Sequence, residues 1–184
     1  MGNVLLNLSW FYLLLLIQRG AELLLCARNR RRLQARGGRE YAPRSYRGMV
    51  ALYLGFHLLL LIEAYPFRVP ADLLTWSLLT SYGLVQLLRY WTIGVLGDFW
   101  NTRIVVIPGS RLVRTGPFRW LRHPNYLVMT LEFAIIPLLL RAPTTLLLFI
   151  PLLLVTLRRR IALEEEALSR WTDFTTRNRD GKAD

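Results

Sequence analysis

Long apolar runs alternate along the chain with arginine-rich segments, and the two kinds of residue hardly mix. A continuous apolar run, unlike the interrupted stripe of an amphipathic helix, is what a helix surrounded by hydrocarbon shows. Residues 4–27, 49–64, 73–95, 124–140 and 144–157 are such runs and predict five helices. A helix needs about 20 residues to cross a hydrocarbon core of about 30 Å. The second run is short by that measure unless Pro66 marks its exit. Between the fourth and fifth, Arg141-Ala142-Pro143 is a turn too short for anything but an antiparallel hairpin. Pro137 and Pro151 should kink these two helices and free carbonyls, widening a pocket between them. Residues 158–171 read as a further helix with a basic start and an acidic middle. The expected fold class is therefore all-α: an integral membrane protein with about five transmembrane helices and a cytoplasmic C-terminal helix. Residues 1–172 would form one membrane-embedded domain and 173–184 a polar, frayed tail.

Charge gives this picture an orientation. The segment 28–48 carries eight arginines against the single acid Glu40, and the segment 101–122 is again arginine-rich, whereas only Arg68 and Arg141 fall in the opposite loops. Positive residues mark cytoplasmic loops, so the chain should lie N-out and C-in, multi-pass in a bacterial inner membrane. The first run has no charged start and no small-residue cleavage site, and so reads as a retained helix. A formal charge of +12 could indicate nucleic acid, but the arginines crowd the ends of apolar runs and show no nucleic-acid-binding pattern. Anionic lipid headgroups are the partner such placement fits, at about 1 kcal/mol per basic residue. Cys26 is the sole cysteine, which excludes an intrachain disulfide and a multi-cysteine metal site, and His57 and His123 lie far apart; no metal centre is indicated.

Some polar residues interrupt the apolar runs. Arg19 and Glu22, spaced i, i+3, could pair on one helix face, or the arginine could snorkel to the interface. His57 reads as hydrogen-bonded to a neighbouring helix in preference to catalytic, and Glu63 as interfacial. Glu132 should face protein or water, because an acid at the bilayer centre costs about 2.5–3.5 kcal/mol on insertion scales. Glu40, Tyr41 and Tyr46 could cover a site as a lid.

Two polar stretches carry the candidate chemistry. Residues 111–126 hold arginines, a Gly-Pro turn and the cluster Arg122-His123-Pro124-Asn125-Tyr126; Arg158-Arg159-Arg160 through Glu164-Glu165-Glu166 follows the last apolar run. Arg-His-Pro-x-Tyr, then a hydrophobic span, then Arg-x-x-x-Glu-Glu resembles the C-terminal signature of the isoprenylcysteine carboxyl methyltransferase family, over residues 89–172. The resemblance implies S-adenosyl-L-methionine as cofactor, held by His123, Pro124, Asn125 and Tyr126 and by the preceding Ser110, Arg111, Leu112 and Val113, with Phe118 also on the cofactor side. It further implies that Glu164 contacts the cofactor and that Arg160, with Glu165, acts on the substrate as the catalytic pair. Two departures stand out: Gly116-Pro117-Phe118 replaces the family's Gly-x-Tyr, and Val128 stands where the family usually has glycine. Both bear on substrate identity more than on cofactor use. The chain looks closer to the small bacterial branch, some of whose members methylate hydroxyls of long-chain polyketides instead of prenylcysteine.

The residue types suit that chemistry independently of the resemblance. Arginine or histidine matches the cofactor's carboxylate, a glutamate its ribose or ammonium, and apolar walls its adenine. The leading expectation is an integral-membrane O-methyltransferase acting on a lipophilic acceptor, either a carboxylate or a hydroxyl. An NADPH-dependent sterol-type reductase, which NADPH binding would favour, and a non-enzymatic arginine-rich scaffold, indifferent to loss of His123 or Glu164, are the competing readings.

Overall fold

The computed structural model describes residues 4–172, so the expected polar tail lies outside the described residues. Five helices dominate: α1 (Ser9–Ala35), α2 (Pro43–Ala64), α3 (Leu73–Leu96), α4 (Pro124–Leu139) and α5 (Pro143–Trp171). Four three-residue strands depart from the all-α expectation: β1 (Leu5–Asn7), β2 (Arg39–Tyr41), β3 (Arg68–Pro70) and β4 (Ile104–Val106). They pair antiparallel as β1–β3, with Leu6 opposite Val69, and β2–β4, with Glu40 opposite Val105. Each pairing satisfies backbone groups where the chain enters or leaves a helix, and each fastens one end of the bundle.

The helix boundaries differ from the apolar runs at the charged ends. α1 starts at Ser9 and continues through Arg28 to Arg32 as far as Ala35, so the first arginine-rich segment is largely helical. α2 begins at Pro43, ahead of residue 49, because proline suits the first helical position. α5 is one continuous helix of 29 residues, not a span followed by a separate helix. Its Arg158–Glu166 segment is made of good helix formers, so nothing local stops it.

By length and composition, α1 and α2 are each able to cross a membrane, and α4 is a shorter apolar helix. α3 and α5 do not meet that standard on their own: α3 carries Gln86, Arg89 and several hydroxyl residues, and the apolar part of α5 ends at the arginine triplet. Leu13, Ile17, Leu24, Leu54, Leu84 and Leu147 nevertheless stay exposed on α1, α2, α3 and α5, an apolar surface too extensive for contact with water alone.

Aromatic stacking anchors the core. Phe56 of α2 stacks on Phe133 of α4 at 4.1 Å and meets Phe149 of α5 edge-on at 5.7 Å. At the end bearing the α2–α3 and α4–α5 connections, two acids act as helix caps. Glu63 accepts from the backbone N–H groups of Thr144 and Thr145, both at 2.7 Å, satisfying orphan donors of α5. Asp72 caps α3 by accepting from the Thr75 N–H at 2.8 Å and also from the Arg141 guanidinium, which locks the two connections together. These hydrogen bonds, with the Thr75 N–H first, hold the Asp72 carboxyl below its ordinary range.

A buried ion network links α1, α3 and α4. The Arg89 guanidinium, 2% exposed, donates to both carboxylate oxygens of Glu22 and to Glu132, and Arg19 pairs with Glu22 at 2.8 Å and Glu132 at 3.3 Å. Gln86 donates to Glu132 at 2.7 Å and Gln18 to Gln86 at 2.6 Å. Two cations face two carboxylates, so the network is neutral as a whole. Removing one member would strand a buried charge, a loss of about 3–5 kcal/mol. Arg19 and Glu22 thus pair as their spacing allows, and Glu132 faces protein.

Candidate active site

A cavity of about 580 Å³ opens where the loops on both sides of β4 and the first turn of α4 meet α1, α2 and α5. Gly116 fixes one wall. It sits at φ +57°, and a Cβ there would lie 2.7 Å from Val95 and 3.1 Å from Trp91, so only glycine lets the Gly-Pro turn press onto α3. The turn Gly116–Arg119 then carries Phe118 to the cavity, and Pro124 starts α4 so that His123 and Tyr126 face it.

Both motif stretches contribute to this one cavity. Ser110, Arg111, Leu112, Val113 and Phe118 line it, as do His123, Pro124, Asn125, Tyr126, Arg160 and Glu164. The stretches also touch. The Tyr126 hydroxyl donates to the Glu164 carboxylate and accepts from Arg160 Nε at 3.1 Å, and Arg160 Nη2 donates to the Thr102 carbonyl. The i, i+4 spacing of Arg160 and Glu164 puts both on one face of α5, and the hydroxyl of Tyr126 bridges them. Arg160 is 6% exposed, and its Nη1 has no hydrogen-bond partner among the described residues.

Glu165 stands apart from its neighbours. It does not line the cavity; its Oε1 lies 3.2 Å from His123 Nε2 and 4.0 Å from Arg122. It therefore holds the imidazole from behind, while the ring stacks on Tyr126 with centroids 5.4 Å apart. Pro137 and Pro151 also stay away from the cavity, so the expected pocket between kinked α4 and α5 is not where the space lies.

Of the three lid residues only Tyr46 lines the cavity; Glu40 and Tyr41 belong to the β2–β4 ribbon. Glu40 pairs within the β2–β4 ribbon and accepts from Arg103 at 2.6 Å, and the Arg103 guanidinium lies 4.0 Å over the Tyr46 ring. Tyr41 hydrogen-bonds Glu166 of α5, which raises its phenol pKa above the ordinary 10.0. Among the described residues no group of three or more His, Cys, Asp or Glu side chains could hold a metal ion.

The inner part of the cavity is lined by residues the motifs do not include: Arg19, Glu22, Tyr53, His57, Arg89 and Trp100. All but Trp100 sit inside apolar runs, where polarity is their signal, but that signal does not show that three helices bring them to one place. Among the described residues the His57 ring has no hydrogen bond to a neighbouring helix; its backbone carbonyl accepts from Tyr12 at 2.9 Å, and its Nδ1 is buried without a partner there.

Two known proteins resemble the chain over most of its length. YpbQ of Bacillus subtilis, described as an uncharacterized protein, is 34% identical over 159 residues, covering 86% of this chain and 95% of that protein. An uncharacterized protein of Haemophilus influenzae is 27% identical over 148 residues, 77% of this chain and 83% of that protein. No solved structure matches the chain. The profile of the isoprenylcysteine carboxyl methyltransferase (ICMT) family matches residues 73–170, from the start of α3 almost to the end of α5, and so spans every helix that carries a motif. The chain belongs to the isoprenylcysteine carboxyl methyltransferase family.

Proposed function

We propose that the protein is an integral-membrane, S-adenosyl-L-methionine-dependent O-methyltransferase whose acceptor is an amphiphile, with all five helices embedded, the N-terminus outside and the C-terminus cytoplasmic. The observation that carries this reading is the Arg160–Tyr126–Glu164 chain, which joins both family motifs inside one cavity. The residues present fit the cofactor. The cavity volume lies in the range of small-molecule sites, Arg111 and His123 suit a carboxylate, and Glu164 suits an ammonium or ribose hydroxyl. Leu112, Val113 and Phe118 are apolar walls for a flat base.

Bound S-adenosylmethionine supplies an electrophilic methyl carbon. The chain's own task is orientation and the exclusion of water. Arg160, fixed by Tyr126 and Thr102, would hold an anionic oxygen of the acceptor, and Glu165 sets the His123 ring. A carboxylate acceptor reaches the site already ionised and has no proton to lose. A phenol of ordinary pKa near 10 must lose one, and the His123–Glu165 pair is the base within reach. The exposed arginines of the α1 end and the following segment, among them Arg28, Arg31, Arg36, Arg44 and Arg47, would rest on anionic headgroups.

Calorimetry with S-adenosylhomocysteine in nanodiscs tests the reading. Binding is expected, and His123→Ala and Glu164→Ala should each weaken it by about 1.5–3 kcal/mol, the worth of a hydrogen bond to a charged group. No detectable binding to the wild-type chain would sink the proposal.

A further inference from the structure

The polar network at the inner end of the cavity divides into two layers with different states of satisfaction. In one, Glu132, Gln86 and Gln18, together with Arg89, whose edge touches the cavity, spend their hydrogen bonds on one another. Facing the cavity are Arg19, Tyr53 and His57, from α1 and α2, and here hydrogen-bonding capacity is left over. Neither the Tyr53 hydroxyl nor the His57 ring has a hydrogen-bond partner among the described residues, and Arg19 Nε is likewise unpaired. The three side chains form one surface: the Arg19 guanidinium lies 4.7 Å over the Tyr53 ring, and that ring stacks with the His57 imidazole at 6.4 Å. The Arg19 side chain keeps 25% of its surface open.

A binding site for a plain hydrocarbon tail has no use for such a surface. An unpaired polar group in a medium that excludes water costs about 1–3 kcal/mol, and apolar residues of the same shape would be cheaper. The nearby wall shows what a tail needs: Leu16, Leu23, Val50 and Leu54. The unspent groups are mostly donors: a phenol O–H, an imidazole N–H and a guanidinium N–H.

We infer that Arg19, Tyr53 and His57 form an inner polar subsite that receives an oxygen atom within the acceptor's chain, so that the acceptor is an amphiphile with a second oxygen function and not a simple hydrocarbon tail on a reactive head. The spacing follows from α4. Tyr126 at the reactive end and Glu132, which Arg19 touches, are six residues apart, or about 9 Å along the helix axis. An oxygen several carbons along a chain whose head is held by Arg160 would fall near that depth.

This inference rests on the methyltransferase reading for the identity of the reactive end, and its test needs no methyl transfer. The full chain in nanodiscs is titrated with stearate and with stearates hydroxylated at mid-chain, with the ligand-induced rise in melting temperature as the measure of binding. At least one mid-chain hydroxystearate should bind about tenfold tighter than stearate. Tyr53→Phe, which keeps the ring over which Arg19 lies, and His57→Leu should each reduce that preference several-fold, and together they should abolish it while leaving stearate affinity unchanged. S-adenosylhomocysteine affinity, measured on the same preparations, should be unaltered, and its loss in the wild type would count against the methyltransferase reading alone. Equal affinity for all the fatty acids, absence of binding by any of them, or a preference that survives in the double variant overturns the subsite. Should His57→Leu fail to fold, Tyr53→Phe alone decides.

Discussion

Arg160 carries two structural duties along with its proposed chemical one. Its Nε donates to Tyr126 and its Nη2 to the Thr102 carbonyl, so one planar group ties α4, α5 and the loop before β4. A lysine keeps the charge and loses the fork. Arg160→Lys should lower methyl transfer at least tenfold while S-adenosylmethionine affinity stays within about threefold, under roughly 0.7 kcal/mol, because Tyr126 still reaches Glu164. Arg158→Lys and Arg159→Lys, whose side chains are exposed, serve as controls and should be nearly silent. Parallel assays of turnover and calorimetric affinity check this; equal losses in all three variants would show that simple anchoring explains the triplet. At this scale the sequence was informative wherever spacing sets geometry. The Arg160/Glu164 and Arg19/Glu22 relations follow from helical periodicity alone. Glu165 could not be placed so, because adjacent residues on a helix point in different directions, and only the packing of α5 on the His123 loop turns it away from the cavity.

Among the elements, the short connections hold the site more tightly than their length suggests. Gly116→Ala would press a methyl group onto Val95 at a backbone angle that side chains disfavour. A loss of about 1–3 kcal/mol and a lower melting temperature are expected, together with weaker S-adenosylhomocysteine binding because Phe118 shifts. A melting temperature equal to that of the wild type would mean the turn does not need glycine. The Asp72 tie gives a pH signature at the other end. Its folded pKa lies below the ordinary 3.8, so the stability it contributes is present above that value and is lost as pH falls through the folded pKa. Asp72→Asn should therefore remove part of the acid-induced fall in melting temperature below pH 3.8 and leave its neutral-pH slope unchanged. An unchanged acid limb would show that the tie is silent. The helices were legible because apolar runs persist over many residues. The strands were not, since three residues carry no periodicity and Glu40 meets Val105 only through the fold. The arginine-rich segment after Ala27 interrupts the apolar run without interrupting the helix, because arginine is a good helix former.

For the whole molecule, the charge distribution makes a directional claim. A reporter fused after Asp184 should sit in the cytoplasm and one before Met1 outside, as reporter activity in intact cells would show. A C-terminus outside would refute the five-span arrangement. The cavity's outer half follows the motifs and was readable. Its inner half was not, because Arg19, Tyr53 and Arg89 belong to three helices whose meeting no local pattern encodes. The ion network of α1, α3 and α4 also bears on how the chain would enter the bilayer. α1 is delivered with Arg19 and Glu22 already neutralising each other one turn apart, so it can insert alone. Arg89 and Glu132 have no such partner on their own helices, and each would cost about 2.5–3.5 kcal/mol as a lone charge at mid-membrane. They meet at 2.5 Å only when α3 and α4 lie side by side. If all five helices are embedded as proposed, α3 and α4 are thus expected to enter the bilayer together, their charges cancelling between them, and to dock on α1 through Glu22.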